Sequence, residues 1–146
     1  MPNIRHRIGI AAPSATVYES LSTPTGLAEW WTRDVRGESS PGAELDFHFD
    51  KSSAGMQVQE LVPGRRVAWR CIRGPEEWVG TEISFQLSDG DGETVLLFEH
   101  ADWSEPVEFM YHCSTKWASF LIGLKQGLEG GTPTPFPDDV RLGSWR

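Results

Sequence analysis

The sequence predicts an α+β domain in which a curved antiparallel sheet wraps around one long C-terminal helix and encloses an apolar small-molecule cavity. Three observations carry that expectation. From Gly42 to about Ala101 the apolar residues recur at every second position, as in strands with one solvated face. From about Glu105 to Leu128 they recur every third or fourth position, as in an amphipathic helix. Finally, seven Trp and seven Phe are many for 146 residues, and rings of that size either fill a core or line a pocket.

The chain from Ile4 to Ala11 reads as a strand, with Ile4, Ile8 and Ile10 on one face. Pro13 suits the first turn of a helix, and Val17, Tyr18 and Leu21 follow at helical spacing. Beyond Ser22-Thr23-Pro24 a second short helix is expected from about Thr25 to Trp31, carrying Leu27, Trp30 and Trp31. Alternation then begins. Leu45, Phe47 and Phe49 alternate with acidic residues and His48, and Met56 and Val58 alternate with Gln57 and Gln59. Past a Pro63-Gly64 turn, Val67, Trp69 and Cys71 form one face of a strand, and Ile83, Phe85 and Leu87 one face of the next. Ser88-Asp89-Gly90-Asp91-Gly92 holds residues that tolerate positive φ and reads as a hairpin turn. It leads into Thr94, Leu96, Phe98 and His100, one face of the last strand. With the first strand these make about six, five of them in a meander.

On the long helix Val107, Met110, Cys113, Trp117, Leu121, Leu124 and Leu128 face inward, while Glu108, Thr115, Lys116, Lys125 and Gln126 face outward. At ~1.5 Å per residue the helix is roughly 35 Å long, enough to cross a sheet. Gly130-Gly131 supplies its C-terminal stop. The expected organisation is one domain over residues 1–131, followed by a Pro-rich, irregular tail over 132–146 from which Phe136 and Trp145 are free to dock. A sheet curved around a single helix leaves its concavity partly empty, which is the argument for a cavity.

Composition narrows the function classes. Twenty-one acids against thirteen bases give a net charge of −8, a field that repels phosphate backbones and argues against nucleic acid as a partner. No run of eighteen apolar residues occurs and the N-terminus lacks an apolar leader core, so membrane insertion and secretion are not expected and the cytoplasm is. Cys71 and Cys113 form no C-x-x-C pair and read as small core residues. The four histidines show no metal-ligand spacing, so neither a metal nor any other cofactor is implied. His6 and His48 are read as lying on solvent faces, and Glu76-Glu77 and Asp138-Asp139 as acids in solvated turns.

The order of elements resembles the helix-grip fold of the START and birch-pollen-allergen (SRPBCC) superfamily. Within it the chain is similar to the family related to the activator of heat-shock protein 90 ATPase. Four segments carry the likeness: Ala12 to Leu21, Leu27-Ala28-Glu29-Trp30-Trp31, Thr94 to His100, and the Trp-led helix from Trp117 to Glu129 with its closing Leu-Glu-Gly. The resemblance implies a domain that binds a hydrophobic ligand, and it supplies no catalytic motif.

Residue by residue, the ligand-lining set expected is Trp30, Phe47, Trp69, Phe85, Phe98, His100, Met110 and Trp117, which converge between sheet and helix. The Trp30-Trp31 pair is expected to be half core and half pocket gate. His100 is the single candidate for catalysis, because its phase sets it beside Phe98 and its neutral imidazole can move protons near pH 7. The competing reading is a core histidine whose nitrogens are satisfied by neighbours. Neither a G-x-S-x-G nucleophile nor a phosphate loop is present. The expected function is therefore binding of a small hydrophobic or amphipathic molecule by a monomer or homodimer. The alternatives are a cavity enzyme of the cyclase, dehydratase or hydrolase kind using His100, and an interaction module acting on a chaperone ATPase.

Overall fold

A computed structural model describes all 146 residues. The chain order is β1 (Ile4–Ile10), α1 (Ser14–Ser22), α2 (Pro24–Ala28), β2 (Asp34–Gly37), β3 (Glu44–Phe49), β4 (Ser52–Val62), β5 (Arg66–Arg73), β6 (Glu82–Asp89), β7 (Thr94–Ala101) and α3 (Glu108–Leu128). All seven strands join one antiparallel sheet in the order β1-β7-β6-β5-β4-β3-β2. The fold is α+β and helix-grip-like, with the long helix across the concave face and the two short helices after the first strand.

Seven strands stand where about six are expected. The additional one, β2, has four residues of which only Val35 is apolar, so it shows no alternation. It forms by pairing with β3, Val35 opposite Phe47. At its end Gly37 has φ +106°, and a Cβ there would lie 2.2 Å from the Glu44 carbonyl oxygen, an approach only glycine permits.

Period-two alternation builds the inner face. Leu45, Phe47, Val67, Trp69, Ile83, Phe85, Leu96 and Phe98 are all buried. The outer face is a lattice of ion pairs: Arg73 with Glu44 and Asp46, and Arg66 with Glu60 and Glu82. His6 departs from the solvent-facing expectation. It shares the parity of Ile4, Ile8 and Ile10, is half-buried, stacks on Phe98 at 6.1 Å, and sets Nε2 3.1 Å from the Ser114 carbonyl of α3.

Helix α3 buries Cys113, Trp117, Phe120, Leu121 and Leu124 against the sheet. Its C-terminal end is clasped to β1: Lys125 donates to the Gly9 carbonyl (2.7 Å) and to Glu129 (2.8 Å), while the Ala11 N–H donates to Glu129 (2.8 Å). Those contacts hold the Glu129 carboxyl below its usual pKa, the Ala11 N–H first and Lys125 second. Past them Gly130, at φ +96°, turns the chain, and the Gly131 N–H returns to the Gln126 carbonyl at 2.7 Å.

Candidate ligand-binding cleft

The centre of the concavity is filled. Trp31 lies among Phe47 (4.3 Å between centroids), Trp117 (4.8 Å), Phe49 (5.6 Å) and Trp69 (6.0 Å, nearly parallel). Phe85 meets Trp69 edge-on at 5.2 Å and Phe98 at 5.4 Å, and Trp30 closes over Phe85 while donating its indole N–H to the Ser20 carbonyl (2.9 Å). Trp30, Phe47, Trp69, Phe85 and Phe98 therefore sit in the packed core, each at most 2% exposed. Met110 is half-buried and packs on the edge of that core. The physical reason is that edge and offset ring contacts let large aromatics interdigitate without voids.

His100 lies one layer away, fully buried between Trp78 (4.9 Å), Trp103 (5.0 Å) and Trp117 (6.1 Å). Both of its nitrogens are engaged. The Trp117 indole N–H donates to Nδ1 at 3.1 Å. The Thr81 hydroxyl donates to the Trp78 carbonyl (2.6 Å), which leaves its oxygen to accept from the His100 Nε2–H at 2.8 Å. The imidazole is thus held neutral as one tautomer, and burial pushes its pKa down to about 3. It has no face on open space.

The open volume lies at one end of the concavity. A cleft of about 420 Å³ is bounded by the first half of α3, the β3–β4 turn, the loop between β5 and β6, and the C-terminal tail. Its floor is Trp31 and Trp117. Its walls are Phe49, Trp78, Phe109, Phe120, Phe136 and Trp145, with His112, Lys116, Asp139 and Arg146 supplying polar groups. Ten of its nineteen lining residues are apolar, against four of eleven in the depression beside α2. Of the eight residues expected to line a pocket, Trp117 alone borders the cleft.

The tail is docked, not loose. The Phe136 N–H donates to the Trp31 carbonyl (2.8 Å), the Arg33 N–H to the Phe136 carbonyl (3.2 Å), and the Phe136 ring meets Phe49 edge-on at 5.4 Å. Trp145 rests against His112 (5.7 Å) and Phe109 (6.2 Å). Asp138 is exposed as expected and pairs with Arg33, but the expectation of a solvated Asp139 and an outward Lys116 is corrected here. Asp139 is buried and ion-paired with Lys116, whose side chain is 14% exposed and also donates to the Val140 carbonyl at 2.8 Å. Helical phase points Lys116 to the flank of α3, and the returning tail covers that flank. Burial, and then the charge of Lys116, lowers the pKa of His112 beside the pair. Burial raises the thiols of Cys113 to about 12 and Cys71 to about 11, so both stay protonated and inert near neutrality.

A family model described as "Activator of Hsp90 ATPase homolog 1-like protein" matches residues 11–129. The chain belongs to this family. The Aha1 dimer from Colwellia psychrerythraea, known from a solution structure, is 44% identical over 90% of this chain and 98% of its own, with a TM-score of 0.84. Protein MLL2253 from Mesorhizobium loti is 16% identical over 88% of this chain and 97% of its own, with a TM-score of 0.77. CalU16 from Micromonospora echinospora is 22% identical over 92% of this chain and 71% of its own, with a TM-score of 0.75. The last two show the fold alone. No curated protein matches the chain, and no helix is long and apolar enough to cross a membrane.

Proposed function

We propose that this member of the activator-like family binds a small, largely apolar molecule in the cleft between α3, the β3–β4 turn and the tail. One observation carries the reading: an otherwise filled aromatic interior opens at that end into about 420 Å³ walled by Trp, Phe and a few polar groups. That volume falls within the ~300–1,000 Å³ usual for small-molecule sites. Binding is preferred to catalysis because His100, the residue an enzymatic reading needs, has both nitrogens occupied and no border with the cleft. The assembly proposed is a homodimer, supported by the dimeric state of the 44% identical chain from Colwellia psychrerythraea.

The test uses the neutral dye N-phenyl-1-naphthylamine. Its emission should rise on addition to the folded protein and saturate at one dye per chain. Phe109→Glu should weaken uptake more than about tenfold, since a carboxylate among apolar walls must be desolvated with the ligand. Folded wild-type protein that takes up no dye refutes the proposal.

A further inference from the structure

The side of α3 turned away from the sheet is free of charge. Between Glu108 and Glu129 the helix carries two charged residues, and both are engaged at its flanks: Lys116 pairs with Asp139 of the tail, and Lys125 with Glu129 and the Gly9 carbonyl. What faces solvent over those turns is Tyr111, Thr115, Ile122 and Gln126, with Ala118 and Ser119 half-buried between them. A helix side that stays in water ordinarily carries charges, and this chain has 34 acidic and basic residues to draw on, 21 and 13. Apolar surface is concentrated in the same place. Of nine large apolar side chains left exposed, five lie on α3 or on the tail packed beside it: Tyr111, Ile122, Val140, Leu142 and Trp145. Tyr111, Thr115, Leu142 and Trp145 line one groove between α3 and the tail, where Glu108 is the one acid. Leu97, by contrast, stands on the outer sheet face among Arg5, Arg7, Arg66 and Glu99.

We infer that this surface is the contact between two copies of the chain, with Ile122 of each copy seated in the α3–tail groove of the other. This rests on the homodimer reading above and names its interface. A two-fold contact is self-complementary: a side chain that enters a site on the second copy has its counterpart entering the same site on the first. A patch of net charge therefore meets its own sign, so a chain of net charge −8 associates with itself best where charge is absent. The projecting side chain and the groove are both present on one copy, and their spacing suits a two-fold. Ile122 lies seven residues beyond Thr115, roughly 10 Å along the helix. The midpoint falls at Ala118 and Ser119, whose small side chains let two helices approach closely. The outer face of the sheet would instead have to desolvate Arg66, Arg73 and the acids they pair with. The groove also shares His112 and Trp145 with the cleft, so a second copy seated there stands beside the cleft's wall.

The test follows the mass of the full chain by light scattering during size exclusion across micromolar concentrations. Ile122→Glu puts a carboxylate into both equivalent contacts, where it must lose water, and should weaken the dimer more than about a hundredfold. Leu142→Glu, on the groove side, should act in the same direction. Both positions are exposed in the single chain, so the circular dichroism of each variant should match that of the wild type. Leu97→Glu, on the outer sheet face, should leave the dimer intact. Ser119→Cys should cross-link to its own copy through a short bismaleimide, because the native Cys71 and Cys113 are buried and do not compete. A dimer that survives Ile122→Glu, or one in which Ser119→Cys does not cross-link, overturns this interface and leaves the homodimer standing. Loss of the dimer on Leu97→Glu overturns it as well, in favour of the sheet face. Wild-type protein with a single-chain mass at every concentration brings down the homodimer reading and this one with it.

Discussion

Acid should destabilise this protein through His100, and the size of the effect follows from its surroundings. In the unfolded chain the imidazole titrates near its ordinary 6.5; in the fold burial pushes it down to about 3. Between those values the unfolded chain holds a proton that the folded chain refuses, so stability falls as pH drops through 6.5 and goes on falling toward 3. Each unit is about 1.4 kcal/mol, which makes the loss about 2 kcal/mol between pH 7 and pH 5. That is a large share of a typical ~5–15 kcal/mol stability. The geometry gives the cause a structural form, because a proton on Nδ1 would face the Trp117 N–H that now donates to it. Urea unfolding followed by Trp fluorescence at pH 7, 6 and 5 measures the effect, with His100→Gln as the control. Glutamine accepts from Trp117 through its carbonyl, donates to Thr81 through its amide, and does not titrate. The wild type should lose about 2 kcal/mol more than the variant from pH 7 to pH 5. The lowered pKa of His112 acts in the same direction, but it is common to both proteins and cancels. Equal losses in the two would refute the reasoning and show that the imidazole accepts a proton in the fold.

The Lys116–Asp139 pair makes a second stability prediction: Lys116→Met alone strands a buried carboxylate and should cost about 3 kcal/mol in urea unfolding, whereas pairing it with Asp139→Leu should recover most of that loss. For the assembly, light scattering during size exclusion should return the mass of two 16.3 kDa chains; a single-chain mass across micromolar concentrations would rule out the dimer.

The scaffold was legible because each of its rules is local. Alternation placed Leu45, Phe47, Trp69, Phe85 and Phe98 on the inner face, and helical spacing from Cys113 to Leu124 marked the buried face of α3. The glycines after Leu128 ended that helix as expected. Strand β2 escaped because four residues with one apolar side chain carry no period. His6 was legible too, since its even position matches Ile4 and Ile8, but its polarity argued for solvent and the Ser114 carbonyl that receives it is 108 residues away. Phe120, three residues beyond Trp117 on the same helical face, was the strongest missed signal for the cleft.

The site was harder to read for a different reason. Periodicity says which side of an element turns inward; it does not say where the inward rings fail to meet. The rings of β3, β5, β6 and β7 find one another and close, so the unfilled volume shifts to the end where α3 starts and the tail returns. Its polar groups come from a helix flank and a tail, and neither carries a repeating pattern. That division also bears on what family membership can convey. The matched segment, 11–129, supplies six of the seven strands, the helix and the aromatic floor, whereas Phe136, Asp139, Trp145 and Arg146 all lie outside it. Two proteins can therefore share this scaffold closely and still differ in the groups that meet a ligand's polar end. High identity over the sheet and helix then implies a common apolar floor, while on the proposed binding reading ligand choice follows whatever chain folds back over the start of α3.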